Sequence, residues 1–254
     1  MKKVLKQKII KSLFADDVRL LPYIPYLWQD LWSLGTPLEP LIALLKRQNL
    51  PLGDFNVLDL GCGKGEAGVQ IARLFGARVH MVDAVPDFIR YAKDRAKKLR
   101  IVRCAFSTED ILRTVLRARD YDMAMLCLTD GALGCALETV RILKGTVKPG
   151  GYLVIADTYR NGQKADGGET LDDWLDAFKA EDCIILDRYD GDGEGFYNEY
   201  DIERDIERIA LRAAELKRKY PKKEELFDGY LESLTYCYGN NDAVSTALWL
   251  LRVM

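Results

Sequence analysis

The stretch Val57-Leu58-Asp59-Leu60-Gly61-Cys62-Gly63-Lys64-Gly65 limits the architecture more than any other part of the chain. An apolar run with an acidic residue near its end reads as a buried parallel strand. Glycines at alternate positions follow at once, and then a helical pattern from Glu66 to Phe75. A strand, a glycine loop and a helix in that order let backbone come within contact distance of a ligand. A side chain at Gly61 or Gly63 would close that approach, and glycine takes positive φ at little steric cost. The N-terminus of the helix adds free N–H groups and partial positive charge. A pocket for a nucleoside-bearing cofactor is the first expectation.

The rest of the chain extends this unit. Apolar strand patterns at 56–60, 78–82, 100–104, 122–128 and 152–156 alternate with amphipathic helical patterns at 66–75, 86–97, 108–116, 131–144 and 171–179. Repeated strand–helix units predict an α/β fold, a parallel sheet with helices on both faces. A sixth strand is expected at 183–186 and a last one at 245–253, with a long helical stretch at 201–219, broken at Pro221 and resumed over 223–237. Residues 1–50 read as helical. Val4, Leu5, Ile9, Ile10 and Leu13 alternate with lysines there, as in an amphipathic lid or packing helix rather than a membrane anchor.

Bulk properties narrow the class. With 37 Lys plus Arg against 39 Asp plus Glu, the net charge is −2, which gives no field for a phosphate backbone, so nucleic acid is not a favoured partner. No apolar run is long enough for a membrane span, and Lys6, Lys8 and Lys11 interrupt the opening segment, so a signal peptide is not expected. The six cysteines, at 62, 104, 127, 135, 183 and 237, contain no C-x-x-C pair, and reduced thiols in a cytoplasmic protein are the expectation. His80 is the single histidine, so His-rich metal sites and His-based triads are not expected, and no metal is expected.

Taken together these residues resemble class I S-adenosylmethionine-dependent methyltransferases of the small-molecule type. Val57 to Gly65 is similar to that family's E/D-x-G-x-G-x-G motif, Asp83 to the acidic residue closing its second strand, and Val147-Lys148-Pro149-Gly150-Gly151 to the turn before its fifth strand. The resemblance implies a Rossmann-like, doubly wound seven-stranded sheet with its last strand antiparallel. N-terminal helices and a helical insert before that strand complete the expected fold. It implies one methyltransferase domain over 1–254: a lid at 1–50, a core at 53–195 and 243–254, and an insert at 196–242. S-adenosylmethionine is the implied cofactor and a small molecule the expected methyl acceptor.

The resemblance also assigns residues. Asp59, Gly61, Cys62, Gly63 and Gly65 would form the loop under the cofactor, and Asp83 with Ala84 would meet the ribose. Phe106 and Ser107, after strand three, fall where this fold meets adenine, and Cys127 and Thr129 would floor the methionine moiety. Alignment and exclusion of water carry methyl transfer, so no base is required. Asp130 and Tyr159, following strands four and five, are the candidates to orient or deprotonate an acceptor. Tyr23, Tyr26, Trp28 and Trp32 are candidates to line an acceptor pocket, against the plainer reading that such rings pack helices.

Other readings stand beside this one. A cofactor-binding protein without turnover has the same motifs, and the insert could dock RNA or protein, or mediate a homodimer. Gly63-Lys64-Gly65-Glu66-Ala67-Gly68 also fits the dinucleotide fingerprint with Asp83 about twenty residues on, but counted from Gly61 the third position is Glu66. Asp190, Asp192, Glu194, Gly195 and Asp201 match part of a calcium-loop template, although a solvated acidic turn explains them as well.

Overall fold

The computed structural model describes residues 3–129, 131–160, 168–191, 199–239 and 244–254. In chain order its helices are α1 (Lys3–Lys11), α2 (Ile24–Leu27), α3 (Leu38–Arg47), α4 (Glu66–Phe75), α5 (Pro86–Lys98), α6 (Ile111–Arg117), α7 (Ala136–Lys144), α8 (Leu171–Ala180), α9 (Glu199–Lys219) and α10 (Glu224–Gly239). The strands are β1 (Asn56–Leu60), β2 (Arg78–Asp83), β3 (Cys104–Thr108), β4 (Tyr121–Cys127), β5 (Val147–Arg160), β6 (Cys183–Gly191) and β7 (Val244–Val253). They fall into two compact units, residues 33–191 with 244–254, and residues 1–32 with 192–243.

The larger unit holds a seven-stranded sheet in the order β3-β2-β1-β4-β5-β7-β6. β1 to β5 pair in parallel, whereas β7 runs antiparallel to both β5 and β6. The expected architecture is therefore present, last strand included. Register places Leu60 beside both Val82 and Leu126, so β1, β2 and β4 end along one edge. In a sheet of this kind that edge, where the strand order reverses, is where a crevice opens.

Each face is apolar for its own helices. Met81 points toward α4 and α5, close to Gly65, Gly68 and Ala92. On the other face Leu58, Leu60, Val82, Ala124, Leu126 and Ile155 join a core that includes Val140 of α7 and Trp174 and Phe178 of α8. Trp249 of β7 is fully enclosed there, its ring 5.4 Å from Trp174. Burying side chains of this size removes them from water at roughly 1.5–3 kcal/mol each. α8 starts on a reciprocal cap, with Thr170 N–H donating to Asp173 Oδ2 (2.9 Å) and Asp173 N–H to Thr170 Oγ1 (3.2 Å).

Several boundaries differ from those read in the sequence. The third strand lies at Cys104–Thr108 rather than 100–104. Arg100 has φ +58°, and Ile101 N–H still bonds to Ala96 O, so these residues finish α5 instead of starting a strand. β3 is an edge strand, and its sequence carries little of the apolar signal that a buried strand shows. Helices α6 and α7 begin later than 108 and 131, and β5 runs on to Arg160.

The smaller unit packs α9, α10 and α2 with the turns around residues 18–20. Trp28 is buried and donates its Nε1–H to Tyr230 Oη at 2.6 Å, and Tyr230 donates onward to Leu13 O. Lys217 reaches Asp228 at 2.6 Å, joining α9 to α10. No described helix is long and apolar enough to cross a membrane.

Candidate cofactor site

The glycine loop is fastened to the end of β2. Gly61 and Cys62 donate their N–H groups to Val82 O at 2.9 and 3.0 Å, and Gly63 donates to Asp83 Oδ2 at 2.9 Å. Val85 N–H donates to Asp83 Oδ1 at 2.8 Å, so the same carboxylate also fixes the turn into α5. Gly65 N–H closes the loop on Cys62 O at 2.8 Å. These four N–H groups are thus used within the loop or on β2. A pyrophosphate takes such N–H groups at this place, so the loop is poorly suited to a dinucleotide.

The loop's Cα faces are tightly covered. Gly61 has φ +68°, and a Cβ there would lie 2.7 Å from Thr129 Cγ2. Gly63 has φ +53°, and a Cβ would lie 3.0 Å from Leu34 Cδ1. Gly65 precedes α4 and packs against Ala92 of α5, which makes it part of the helix packing. Leu34 and Gly35 carry no motif of their own in the sequence. Gly35 adjoins Leu128, a non-glycine residue held at φ +49° just beyond β4. Such a conformation is uncommon for a branched side chain and marks a constrained turn.

At this edge Asp59 Oδ2 and Thr129 Oγ1 are buried without a hydrogen-bond partner among the described residues. Asp59 is enclosed by protein, and burial first, then the charge of Asp83, pushes its carboxyl up to about 7, with the Gly68 N–H pulling the other way. Burial pushes Asp83 up to about 6, opposed by the N–H groups of Val85, Gly63 and Ala84. Buried polar atoms are nearly always paired, so an orphaned carboxylate oxygen suits a ligand with a cationic, hydrogen-bonding end. Asp83 still has acceptor capacity for hydroxyl groups, since a carboxylate offers about four lone-pair positions. These residues fit a nucleoside with a charged amino-acid tail.

The remaining candidates divide. Cys127 ends β4, and burial first, then the charge of Asp59, raises its thiol well above the ordinary range, so it is a neutral wall group. Burial likewise raises the Cys62 thiol, with Asp59 and Asp83 adding to it. Phe106 and Ser107 lie within β3, not after it. The Ser107 hydroxyl is engaged by His80 Nε2 at 2.8 Å. Tyr159 lies inside β5, and its ring packs beside Trp249. Its hydroxyl accepts from Arg188 Nη2 at 3.2 Å and donates a long bond to Asp190. Asp130 is outside the described residues.

In the smaller unit Trp28 is committed to Tyr230, and Tyr23 packs edge-on against Phe227 and Tyr220. Tyr26 is 39% exposed, with its hydroxyl on Glu215, and Trp32 is partly exposed. The central part of the calcium-like loop, 192–198, lies outside the described residues, while Asp190 pairs with Arg188 and Asp201 with Arg204. Lys64 is a residue that motif reading passed over: it is buried inside the loop, its ammonium 4.7 Å from the centre of the Tyr91 ring. Its position between two glycines was the available signal.

Comparison with known proteins agrees with this geometry. A family profile described as a methyltransferase domain matches residues 53–194, more than half of the chain. A ribosomal protein L11 methyltransferase from Methylococcus capsulatus is 30% identical over 126 residues, 49% of this chain and 41% of that protein, so the chain spans about two fifths of the length of the curated relatives it matches. Among solved structures, an S-adenosylmethionine-dependent methyltransferase from Geobacter sulfurreducens, in complex with S-adenosyl-L-homocysteine, has a TM-score of 0.72 at 20% identity over 92% of this chain and 98% of its own. A second, from Thiobacillus denitrificans with the same ligand, has a TM-score of 0.71 at 18% identity over 92% and 99%. The chain belongs to the methyltransferase-domain family, with the fold of its class I, S-adenosylmethionine-dependent members.

Proposed function

We propose that this protein binds S-adenosylmethionine at the glycine loop and transfers its methyl group to a small-molecule acceptor. The observation that carries this reading is the unpaired, buried Asp59 Oδ2 next to a loop whose N–H groups are already bonded to β2. Such a loop offers a carboxylate and a hydroxyl where a phosphate-binding loop would offer N–H donors.

When bound, S-adenosylmethionine supplies an electrophilic methyl group on a positively charged sulfur. The chain's residues hold and align. Asp83 accepts from the sugar hydroxyls while keeping Gly63 in place, and Ala84 lies beside it. Asp59 pairs with the cationic end of the methionine portion, and Thr129 and Cys127 close the floor. Phe106 forms an apolar wall for the base, and Leu34 covers the loop from water. Fixing reactants in an aligned, dry geometry accounts for roughly 7–11 kcal/mol of such a barrier, so a general base is not required. Tyr26 and Trp32 are the aromatic candidates with accessible surface left for an acceptor. We place the protein in the reducing cytoplasm, in keeping with six free thiols.

A protein acceptor is the second reading, favoured by the relatives named as ribosomal protein L11 methyltransferases. Calorimetry with S-adenosylmethionine, S-adenosylhomocysteine and NAD tests cofactor choice. Saturable binding of the first two and none of NAD is expected, and NAD binding alone would remove the proposal. Transfer of labelled methyl to purified ribosomal protein L11, and not to small-molecule extracts, would replace the first reading with the second.

A further inference from the structure

On the sheet edge away from the glycine loop, an open cavity of about 640 Å³ lies at the amino ends of β1 to β4. At about 3.3 Å per strand residue, Asn56 in its wall is some 13 Å from Leu60 at the other end of β1. The cavity is therefore separate from the cofactor site. Its wall brings together Arg78, at the start of β2, Arg103, just before β3, and Arg119, just before β4.

Each of these arginines is steadied by neutral oxygens. Arg78 Nε donates to Asn56 Oδ1 at 3.2 Å. Arg103 Nη1 donates to the carbonyls of Gly53 (3.1 Å) and Gly76 (2.8 Å). Arg119 Nη1 donates to the carbonyls of Val115 (3.0 Å) and Ala118 (2.5 Å). Among the described residues none of the three forms an ion pair with a carboxylate. Asp120 is also in the wall, and Asp122, held by the Asn56 N–H and by Lys148, lies near enough to Arg78 to feel its charge, so the three arginines outnumber the two carboxylates by one. A guanidinium has five N–H donors, and carbonyls that hold one nitrogen fix the plane while leaving other donors for a ligand. Charge left uncompensated by neutral acceptors favours an anion with several oxygens.

Two flat rings, Tyr121 and His80, join Val79, Val102, Cys104 and Ala105 in the wall. Tyr121 stacks on His80, ring centroids 6.4 Å apart at 24°. His80 is fixed on both sides, by Tyr121 Oη and Ser107 Oγ, each at 2.8 Å. The volume is in the range of small-ligand sites.

We propose that this cavity binds a phosphorylated small molecule carrying at least two phosphate groups. The three arginines take the phosphates, and the Tyr121–His80 pair forms one wall. The site is independent of methyl transfer and stands or falls by its own measurement.

His80 is the single histidine of the chain, so its imidazole NMR signals report on this wall alone. The full-length protein is titrated with inorganic pyrophosphate and with ADP, with and without S-adenosylhomocysteine. A saturable shift of the His80 signals is expected with at least one probe. Arg78→Gln should weaken it about tenfold or more, as for other charged hydrogen bonds, with S-adenosylhomocysteine affinity unchanged. Arg119→Gln should do the same. If that variant fails to fold, because Arg119 also holds two carbonyls, Arg78→Gln decides. Tighter ADP binding identifies a nucleotide as the source, and equal binding a free diphosphate. No saturable shift with either probe, equal affinity in the folded variants, or a shift with single-stranded RNA alone would overturn the proposal.

Discussion

Asp83 accepts the N–H of Gly63 at 2.9 Å, so the residue that closes β2 also sets the shape of the loop that leaves β1. Structure and binding thus share one carboxylate. Asp83→Ala should weaken S-adenosylmethionine binding about 10- to 100-fold, through lost charged hydrogen bonds and a loosened loop. Asp83→Asn should fall between, because its amide oxygen still accepts from one N–H. Calorimetry at constant pH checks this, and unchanged affinity in the alanine variant would remove the ribose role.

Gly61 and Thr129 form a second coupled pair. Gly61→Ala places a methyl 2.7 Å from Thr129 Cγ2 and forces alanine to φ +68°. The clash and the backbone strain are separable, because Thr129→Ser removes the methyl and keeps the hydroxyl. The double variant should recover part of the Tm lost in Gly61→Ala. A deficit of about 1–2 kcal/mol should persist from the left-handed conformation, a shift of several degrees for a domain of this size. Equal Tm in the single and double Gly61 variants would show that Thr129 gives no resistance.

The glycine loop, Asp83, the order of elements and the antiparallel last strand were all legible in the sequence. Glycine requirements and buried strands leave strong local signals. β3 was misplaced because the apolar Ile101-Val102 pair looks like a strand, yet Ile101 caps a helix and Val102 is 90% exposed. Tyr159 was read as a loop residue at the binding edge, but β5 continues through it because β7 supplies an antiparallel partner as far as Val244. The destination of the loop's N–H groups and the approach of Leu34 to Gly63 depend on contacts between distant segments. Residue spacing carries no trace of those.

The raised carboxyls make stability depend on pH. Asp59 rises from 3.8 to about 7 and Asp83 from 3.8 to about 6. The folded protein therefore holds protons that the unfolded chain has released, and stability from these groups falls as pH increases from about 4 to about 7. Asp59→Asn should flatten that slope in ligand-free thermal unfolding, raising the Tm near pH 7.5 relative to the unaltered protein. Affinity for S-adenosylmethionine should run the other way, increasing as pH passes through the same range, because a cation pairs with the ionised carboxylate. A slope unchanged by Asp59→Asn would contradict the effect of burial on this carboxyl.

Trp28 belongs to the packing of the smaller unit. Trp28→Phe removes the donor to Tyr230 Oη and should destabilise that unit by about 1–3 kcal/mol, with Tyr230 still bonded to Leu13 O. Chemical denaturation followed by circular dichroism checks it. A change below about 0.5 kcal/mol, the usual size for a surface substitution, would show that the ring is free to serve a ligand instead.

The most direct measurement is a crystal structure of the protein with S-adenosylhomocysteine. The expected result is ribose hydroxyls within hydrogen-bond distance of Asp83, with the amino group of the homocysteine tail at Asp59, directly or through a water. Adenosine bound elsewhere, or a glycine loop that stays covered by Leu34 with no ligand against Asp83, would contradict the assignment of the site.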